Sequence, residues 1–189
     1  MDFNLRKVGV DTLDAVLRPQ RYFVGQSSEA NFSEPVFKVF LYGVASAAIH
    51  YVLKLAQISP PVLQSVEQAD PMTTLFATPA LYVLMLFFGA AFLLIVAALA
   101  GGRKEYALCV HCTAGLMALQ PLSALANVGY VTLWGGALAN LAVSLYWVWM
   151  LYHALIQGLN CRRGGSLAVC GLMIVLSAGG CYSLLRKIG

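Results

Sequence analysis

The run LFATPALYVLMLFFGAAFLLIVAALA, from Leu75 to Ala100, contains no charged residue. A helix rises about 1.5 Å per residue and the hydrocarbon core of a bilayer is about 30 Å thick, so roughly 20 apolar residues make one crossing. This run is long enough. A helix is required and not a strand, because an isolated strand would leave its backbone N–H and C=O groups unpaired in lipid.

Similar runs lie on either side, from Val36 to Leu55, Tyr106 to Val128, Leu133 to Ile156 and Leu167 to Leu185. They are separated by short breaks such as Gly102-Arg103-Lys104-Glu105 and Asn160-Cys161-Arg162-Arg163. The composition agrees, with 60% hydrophobic and 11% charged residues where soluble domains carry roughly a quarter charged; the mean hydropathy is +0.76. The expected fold is an all-α integral membrane protein, with five transmembrane helices in one domain over residues 36–189 and a cytoplasmic segment over 1–35. No internal repeat is visible, so an inverted-repeat transporter is not suggested.

Lys and Arg favour the cytoplasmic side of a membrane. With the N-terminus inside, Arg6, Lys7, Arg18, Arg21, Lys38, Arg103, Lys104, Arg162 and Arg163 face the cytoplasm, and Lys54, Arg186 and Lys187 lie outside. The expected topology is N-terminus in, C-terminus out. The pair Arg186-Lys187 is a local violation that a re-entrant fifth segment would repair, although that run is just long enough to cross. Asp2, Asp11 and Asp14 within the first 20 residues, with no apolar core beside them, argue against a cleavable signal peptide. On this topology Cys109, Cys112, Cys161 and Cys170 lie toward the reducing face and Cys181 alone toward the outside. A disulfide framework is therefore not expected, and these thiols read as small apolar packing residues.

Ahead of the first span, Asp11 as an N-cap, apolar Val10, Leu13 and Leu17, and a stop at Pro19 describe a short amphipathic helix. Arg18, Arg21, Tyr22 and Phe23 follow it. Two placements stand open: in the headgroup layer with the apolar stripe below, or packed on the cytoplasmic ends of the spans. Gly25 to Asn31 reads as a polar connector. Between the first two spans, Pro61 and Pro71 frame a one- or two-turn interfacial helix.

Ionisable residues inside a bilayer mark function by default, and here they are scarce. No Asp or Glu falls within the five runs, so the carboxylate relay of many ion-coupled carriers is missing. Lys38 and Lys54 lie near opposite ends of the first span, where long side chains snorkel. Cys109, His111 and Cys112, with the two thiols at i and i+3 on one helix face, are candidate metal ligands that would need to recruit His153. Cys-Val-His-Cys has no zinc-finger spacing, and hydrogen bonding to a neighbouring helix is the simpler role for the histidine. Gln120, Asn127 and Asn140 are strong hydrogen-bonding groups whose plain explanation is interhelical contact. Pro79 is placed in the first turn of the second span, where its missing N–H is harmless. Pro121 sits mid-span and is expected to kink the third helix after Ala118, either shaping the bundle or opening a polar crevice beside Gln120. No Gly-x-Ser-x-Gly elbow, His-Glu-x-x-His helix, phosphate loop or dinucleotide fingerprint occurs. Gly164-Gly165-Ser166 reads as a turn and helix cap.

The order of these features resembles the Yip family, the five-span membrane proteins named for interaction with Ypt/Rab GTPases, and in particular its shorter bacterial branch. In that family a Pro with a following aromatic residue precedes the first span, matched by Pro19 and Phe23. A Gly-Gly-x-x-x-aromatic turn leads into the third span, matched by Gly101, Gly102 and Tyr106, and Pro121 stands where that span carries a Pro. The resemblance extends over about residues 14 to 185. His111-Cys112 replaces the Tyr of many relatives, and the Asp-Tyr-Gly-Pro-Leu-Trp signature of the eukaryotic trafficking members is absent. Rab binding and vesicle budding, which the family implies, therefore transfer poorly, and a bacterial inner membrane is the expected location. The resemblance implies no catalytic residues.

The expected function is non-enzymatic: organisation of membrane or partner proteins, with Arg18, Arg21, Arg103, Lys104, Arg162 and Arg163 against anionic lipid or another protein. Membrane lipids are the expected partners, together with other membrane proteins or further copies of the chain; nucleic acid and cofactors are not expected. The rival is a small transporter or channel with a polar path along Gln120, Asn127 and Asn140.

Overall fold

A computed structural model describes residues 5–26, 31–56, 71–127 and 133–188. Among these every regular element is helical: α1 (Leu5–Leu17), α2 (Pro19–Val24), α3 (Ser33–Leu55), α4 (Pro71–Leu99), α5 (Tyr106–Leu116), α6 (Gln120–Ala126), α7 (Leu133–His153) and α8 (Arg163–Ile188). Four segments are long and apolar enough to cross a membrane: Ser33–Leu55, Leu75–Leu99, Tyr106–Ala126 and Leu138–Gly158. The fifth apolar run lies in α8, one unbroken helix whose described apolar stretch is Arg163–Ser177. The interfacial helix expected between Pro61 and Pro71 and part of the Gly25 to Asn31 connector lie outside the described residues.

The third crossing is the axis of the bundle. Its apolar window is 67% buried, against 28% for the second and fourth. It is built from α5, a 3₁₀ turn over Met117–Leu119, and α6. Pro121 has no N–H to give to the carbonyl four residues earlier, and the helix tightens into that 3₁₀ turn just ahead of it, where the kink was expected. The second crossing faces outward instead. Leu84, Met85, Phe88, Phe92, Ile95 and Leu99 are exposed along α4, a continuous apolar face of the kind that soluble monomers do not present to water.

Pro79 differs from expectation. Because α4 begins at Pro71, Pro79 lies inside the helix and not in its first turn. It marks the crossing with α3, where a Cβ on Gly43 would come within 2.6 Å of the Pro79 Cα. The loss of one backbone bond is offset by a close approach that only glycine permits. Gly164-Gly165-Ser166 is likewise no turn: α8 begins at Arg163, and the Ser166 hydroxyl donates to the Arg162 carbonyl at 3.1 Å. Gly165 is needed because a Cβ there would stand 2.9 Å from that of Ala100.

Helix α1 begins at Leu5, well before the expected cap at Asp11. Asp11 lies mid-helix because its carboxylate serves a side chain of α3, not the free N–H groups of a helix start. The stop at Pro19 is as expected: Arg18 closes the last turn with its N–H on the Asp14 carbonyl at 2.9 Å, and Pro19 opens α2. The fourth crossing ends in a π-turn over Ala154–Gly158, closed by the Leu159 N–H on the Ala154 carbonyl at 3.0 Å. Asn160 then reverses the chain at a φ of 52°, a left-handed conformation that asparagine tolerates better than most residues.

Candidate functional site

Both basic turns meet at the end of the bundle where α1 and α2 pack. Gly101 adopts a φ of 71°, and the Gly102 N–H caps the Ala97 carbonyl at 2.7 Å. A Cβ on Gly102 would lie 2.4 Å from the Cys161 Sγ and 2.7 Å from the Leu159 carbonyl oxygen. This closeness lets the turns hydrogen-bond to each other: the Arg103 N–H donates to Leu159 at 2.7 Å and the Arg162 N–H to Ala100 at 3.1 Å. Arg103, Lys104, Arg162 and Arg163 are thereby brought onto one exposed surface. Arg103 holds Glu105 at 2.8 Å. Cys161 is buried beneath, and burial pushes its thiol pKa up.

Beside the turns, α2 forms a wedge. Phe23 is 1% exposed and Pro19 is fully buried. A Cβ on Gly115 would strike the Tyr22 ring at 2.5 Å and that of Phe23 at 3.0 Å, and Gly158 faces Phe23 from the fourth crossing. Gly115 lies nine residues along the third crossing from Tyr106, about 13 Å below its start. The wedge thus enters the bundle and does not rest on top of it. Burial pushes the Tyr22 phenol pKa above its usual range. Tyr106 donates to the Phe87 carbonyl at 3.2 Å and meets Phe32 edge-on at 6.3 Å between ring centroids. Tyr146 of α7 donates to the Val16 carbonyl, tying α1 to the fourth crossing.

The polar side of α1 faces the protein. Lys38 of α3 binds Asp11 at 2.7 Å and Glu34 at 2.9 Å, Lys7 reaches Glu34 at 3.3 Å, and Thr12 shares a hydrogen bond with Tyr42 at 2.8 Å. Lys38 is 7% exposed. Its expected snorkelling is thus corrected: carboxylates come to the ammonium, where a buried charge requires a partner. The apolar side of α1 faces away, with Leu5 65%, Val10 52%, Leu13 59% and Leu17 69% exposed. The placement packed on the spans therefore holds for the polar face, and the bundle leaves the apolar face uncovered.

The family model of the Yip1 domain matches residues 13–185. The chain belongs to the Yip family. No curated protein and no solved structure matches it. The Yip1 match takes in the wedge, both basic turns and every apolar run, and the motif residues Pro19, Phe23, Gly101, Gly102 and Tyr106 all stand where helices or turns of this Yip bundle meet.

The intramembrane polar groups divide into two places. Toward the other end of the bundle, the Asn127 amide lies 3.5 Å from the His50 Nε2 and from the Asn140 amide, which also donates to the Gly136 carbonyl at 3.0 Å. Gln120 is apart from them, lining a cavity of about 200 Å³ with Ser123, Ser144, Trp147 and Ser177. The three residues of the expected path therefore do not share one site. Cys109 and Cys112 are free and buried, with the Cys112 thiol against Gly158. Among the described residues no three His, Cys, Asp or Glu side chains gather in a way that could hold a metal ion.

Two features were missed in the sequence. The Lys38 network was announced by Glu34 and Lys38 at i and i+4, but the third member, Asp11, had been assigned to a cap. A groove lined by Arg18, Arg21, Trp149 and Gln157, of about 540 Å³, joins residues far apart in the chain and left no local signal.

Proposed function

We propose that this Yip-family chain is a non-enzymatic protein of the bacterial inner membrane that crosses it five times, with its N-terminus in the cytoplasm and its C-terminus outside. Its cytoplasmic end organises membrane lipid and partner proteins. The observation that carries this reading is the two-sidedness of α1: Asp11 and Thr12 are bonded to the bundle while Leu5, Val10, Leu13 and Leu17 are exposed. A helix pinned by its polar side, with leucines turned outward beside a membrane bundle, lies in the headgroup layer with its stripe in the acyl chains. The adjoining turns supply Arg103, Lys104, Arg162 and Arg163, each worth about 1 kcal/mol near an anionic surface. The α8 helix runs unbroken from Arg163 to Ile188, which supports a crossing over a re-entrant loop. Pro19, Phe23, Gly101, Gly102 and Tyr106 act in this reading as the joints that hold the cytoplasmic end together, and Pro121 shapes the third crossing within the bundle.

The test is to neutralise Arg103, Lys104, Arg162 and Arg163 together and to follow lipid association and co-purifying proteins from native membrane. Both fall if the reading holds; unchanged lipid association and an unchanged partner set contradict it.

A second reading, a small transporter or channel, is favoured by the polar-lined cavity at Gln120. Flux into proteoliposomes separates the two. A substrate-dependent signal abolished by Gln120→Leu selects the transporter.

A further inference from the structure

The groove between α2 and the fourth crossing joins Arg18 and Arg21, which the sequence sets against anionic lipid or a partner in general, to Trp149 and Gln157, which no role described so far uses. Arg18 and Arg21, at the two ends of the first turn of α2, line it together with Gln157 from the π-turn. Both arginines are exposed, and among the described residues neither forms an ion pair. Their neighbours differ: Lys7, Lys38 and Arg103 each hold a carboxylate. No acidic residue lines the groove, so its mouth is a pair of uncompensated guanidinium groups with an amide beside them. Such forks match the oxygens of a phosphate.

The rest of the groove is of opposite character. Trp149 lies eight residues before Gln157 on the same crossing, which places it about 12 Å deeper into the membrane. Leu17 and Val24 complete the wall, 69% and 66% exposed. Tryptophan favours the boundary between headgroups and hydrocarbon, and the exposed Leu17 and Val24 suit an acyl chain. The volume of about 540 Å³ exceeds the needs of a free inorganic anion and falls in the range of sites for larger amphiphiles. A cationic mouth beside a tryptophan and exposed apolar side chains offers the two chemistries that a phospholipid joins, an anionic headgroup and an acyl chain.

We propose that this groove binds one anionic phospholipid, with its phosphate on Arg18 and Arg21 and an acyl chain against Leu17, Val24 and Trp149. Gln157 lies in the π-turn and lines the groove; π-bulges often accompany functional sites. The proposal rests on the reading that this end of the bundle lies at a lipid headgroup layer.

The test uses the full chain reconstituted in nanodiscs of phosphatidylcholine containing a minor fraction of phosphatidylglycerol. Native mass spectrometry counts retained lipid, and phosphatidylglycerol with brominated acyl chains reports contact with Trp149 by fluorescence quenching that Trp149→Phe removes. The expected result is retention of one phosphatidylglycerol per chain, with its apparent affinity reduced roughly ten- to hundredfold in the Arg18→Gln/Arg21→Gln double variant. Thermal stability is unchanged there because both side chains are exposed. An Arg103→Gln/Arg162→Gln variant keeps the retained lipid, which separates this site from the basic turns: loss of partners with the groove lipid intact counts for the broader reading and for this one alike. Equal retention of phosphatidylcholine, or an unaltered affinity in the Arg18→Gln/Arg21→Gln variant, overturns the proposal. So does displacement of the lipid by inorganic phosphate at comparable concentration, which would make the groove a simple anion site. A second copy of the chain seated there would appear as a protomer pair that dissociates on the same double substitution, and would equally overturn it.

Discussion

At the scale of single residues, the decisive interaction is the one Lys38 makes with Asp11 and Glu34. Removing one partner of a buried ion pair leaves an uncompensated charge, commonly a loss of 3–5 kcal/mol. Glu34 remains to hold Lys38, so Asp11→Asn is expected to loosen α1 by about 1–3 kcal/mol. Faster hydrogen exchange confined to α1 is the expected readout, and the double variant Asp11→Leu/Lys38→Met should lie closer to the wild type than either single change. Exchange unchanged in α1 would mean that the pair does not pin it. Glycine close approaches act with the same sharpness. Gly115→Leu drives a side chain into Tyr22 and Phe23 and Gly102→Val drives one into Cys161 and Leu159. Each overpacks a close joint, and a loss of about 1–3 kcal/mol is expected, read as a lowered melting temperature in detergent. Gly9→Ala, inside α1 where a Cβ meets nothing within 4 Å, serves as the control without a clash and is expected to stabilise that helix by about 0.5–1 kcal/mol.

These residues also show how far the chain could be read in advance. Gly101, Gly102, Pro19 and Phe23 were legible as a motif, but the contacts they make were not: which element a glycine approaches is set by tertiary packing, and nothing next to Gly115 in sequence points to Tyr22. Lys38 was misread because position near the end of an apolar run suggests snorkelling, while its real partner lies 27 residues away. Gln120, Asn127 and Asn140 looked like one path because they share neighbouring crossings. Depth separates them, Gln120 lying seven residues, or about 10 Å, along the third crossing from Asn127.

At the scale of elements, α1 and the third crossing carry the account. The apolar stripe of α1 was legible from the spacing of Val10, Leu13 and Leu17. Its start was not, since an Asp ahead of an apolar pattern looks alike whether it caps a helix or reaches across to a neighbour. If the stripe lies in lipid, Leu13→Glu/Leu17→Glu removes two side chains each worth about 1.5–3 kcal/mol of burial. Lipid-borne quenchers should then no longer reach a fluorophore attached to α1, while the melting temperature of the bundle stays unchanged. Quenching that persists would place the stripe against something other than lipid. The interruption just ahead of Pro121, a 3₁₀ turn over Met117–Leu119, was visible in the sequence because its cause is local: one missing N–H. Pro121→Ala restores that donor, and slower hydrogen exchange at the Met117–Leu119 turn is the expected outcome.

At the scale of the whole molecule, apolar length and composition were enough to expect a helical membrane bundle, because lipid permits few alternatives to helices. The joining of the two basic turns into one surface, and the entry of α2 among the crossings, required the three-dimensional arrangement. The proposed topology places that surface inside the cell and requires α8 to cross. Its most direct measurement is thiol accessibility in intact cells, with the five native cysteines replaced by alanine and single cysteines introduced by Arg103→Cys, Arg163→Cys or Lys187→Cys. A reagent that cannot pass the membrane is predicted to label the Lys187→Cys variant at once and the other two only after permeabilisation. Labelling of Arg103→Cys or Arg163→Cys in intact cells would contradict the cytoplasmic placement on which the functional reading stands.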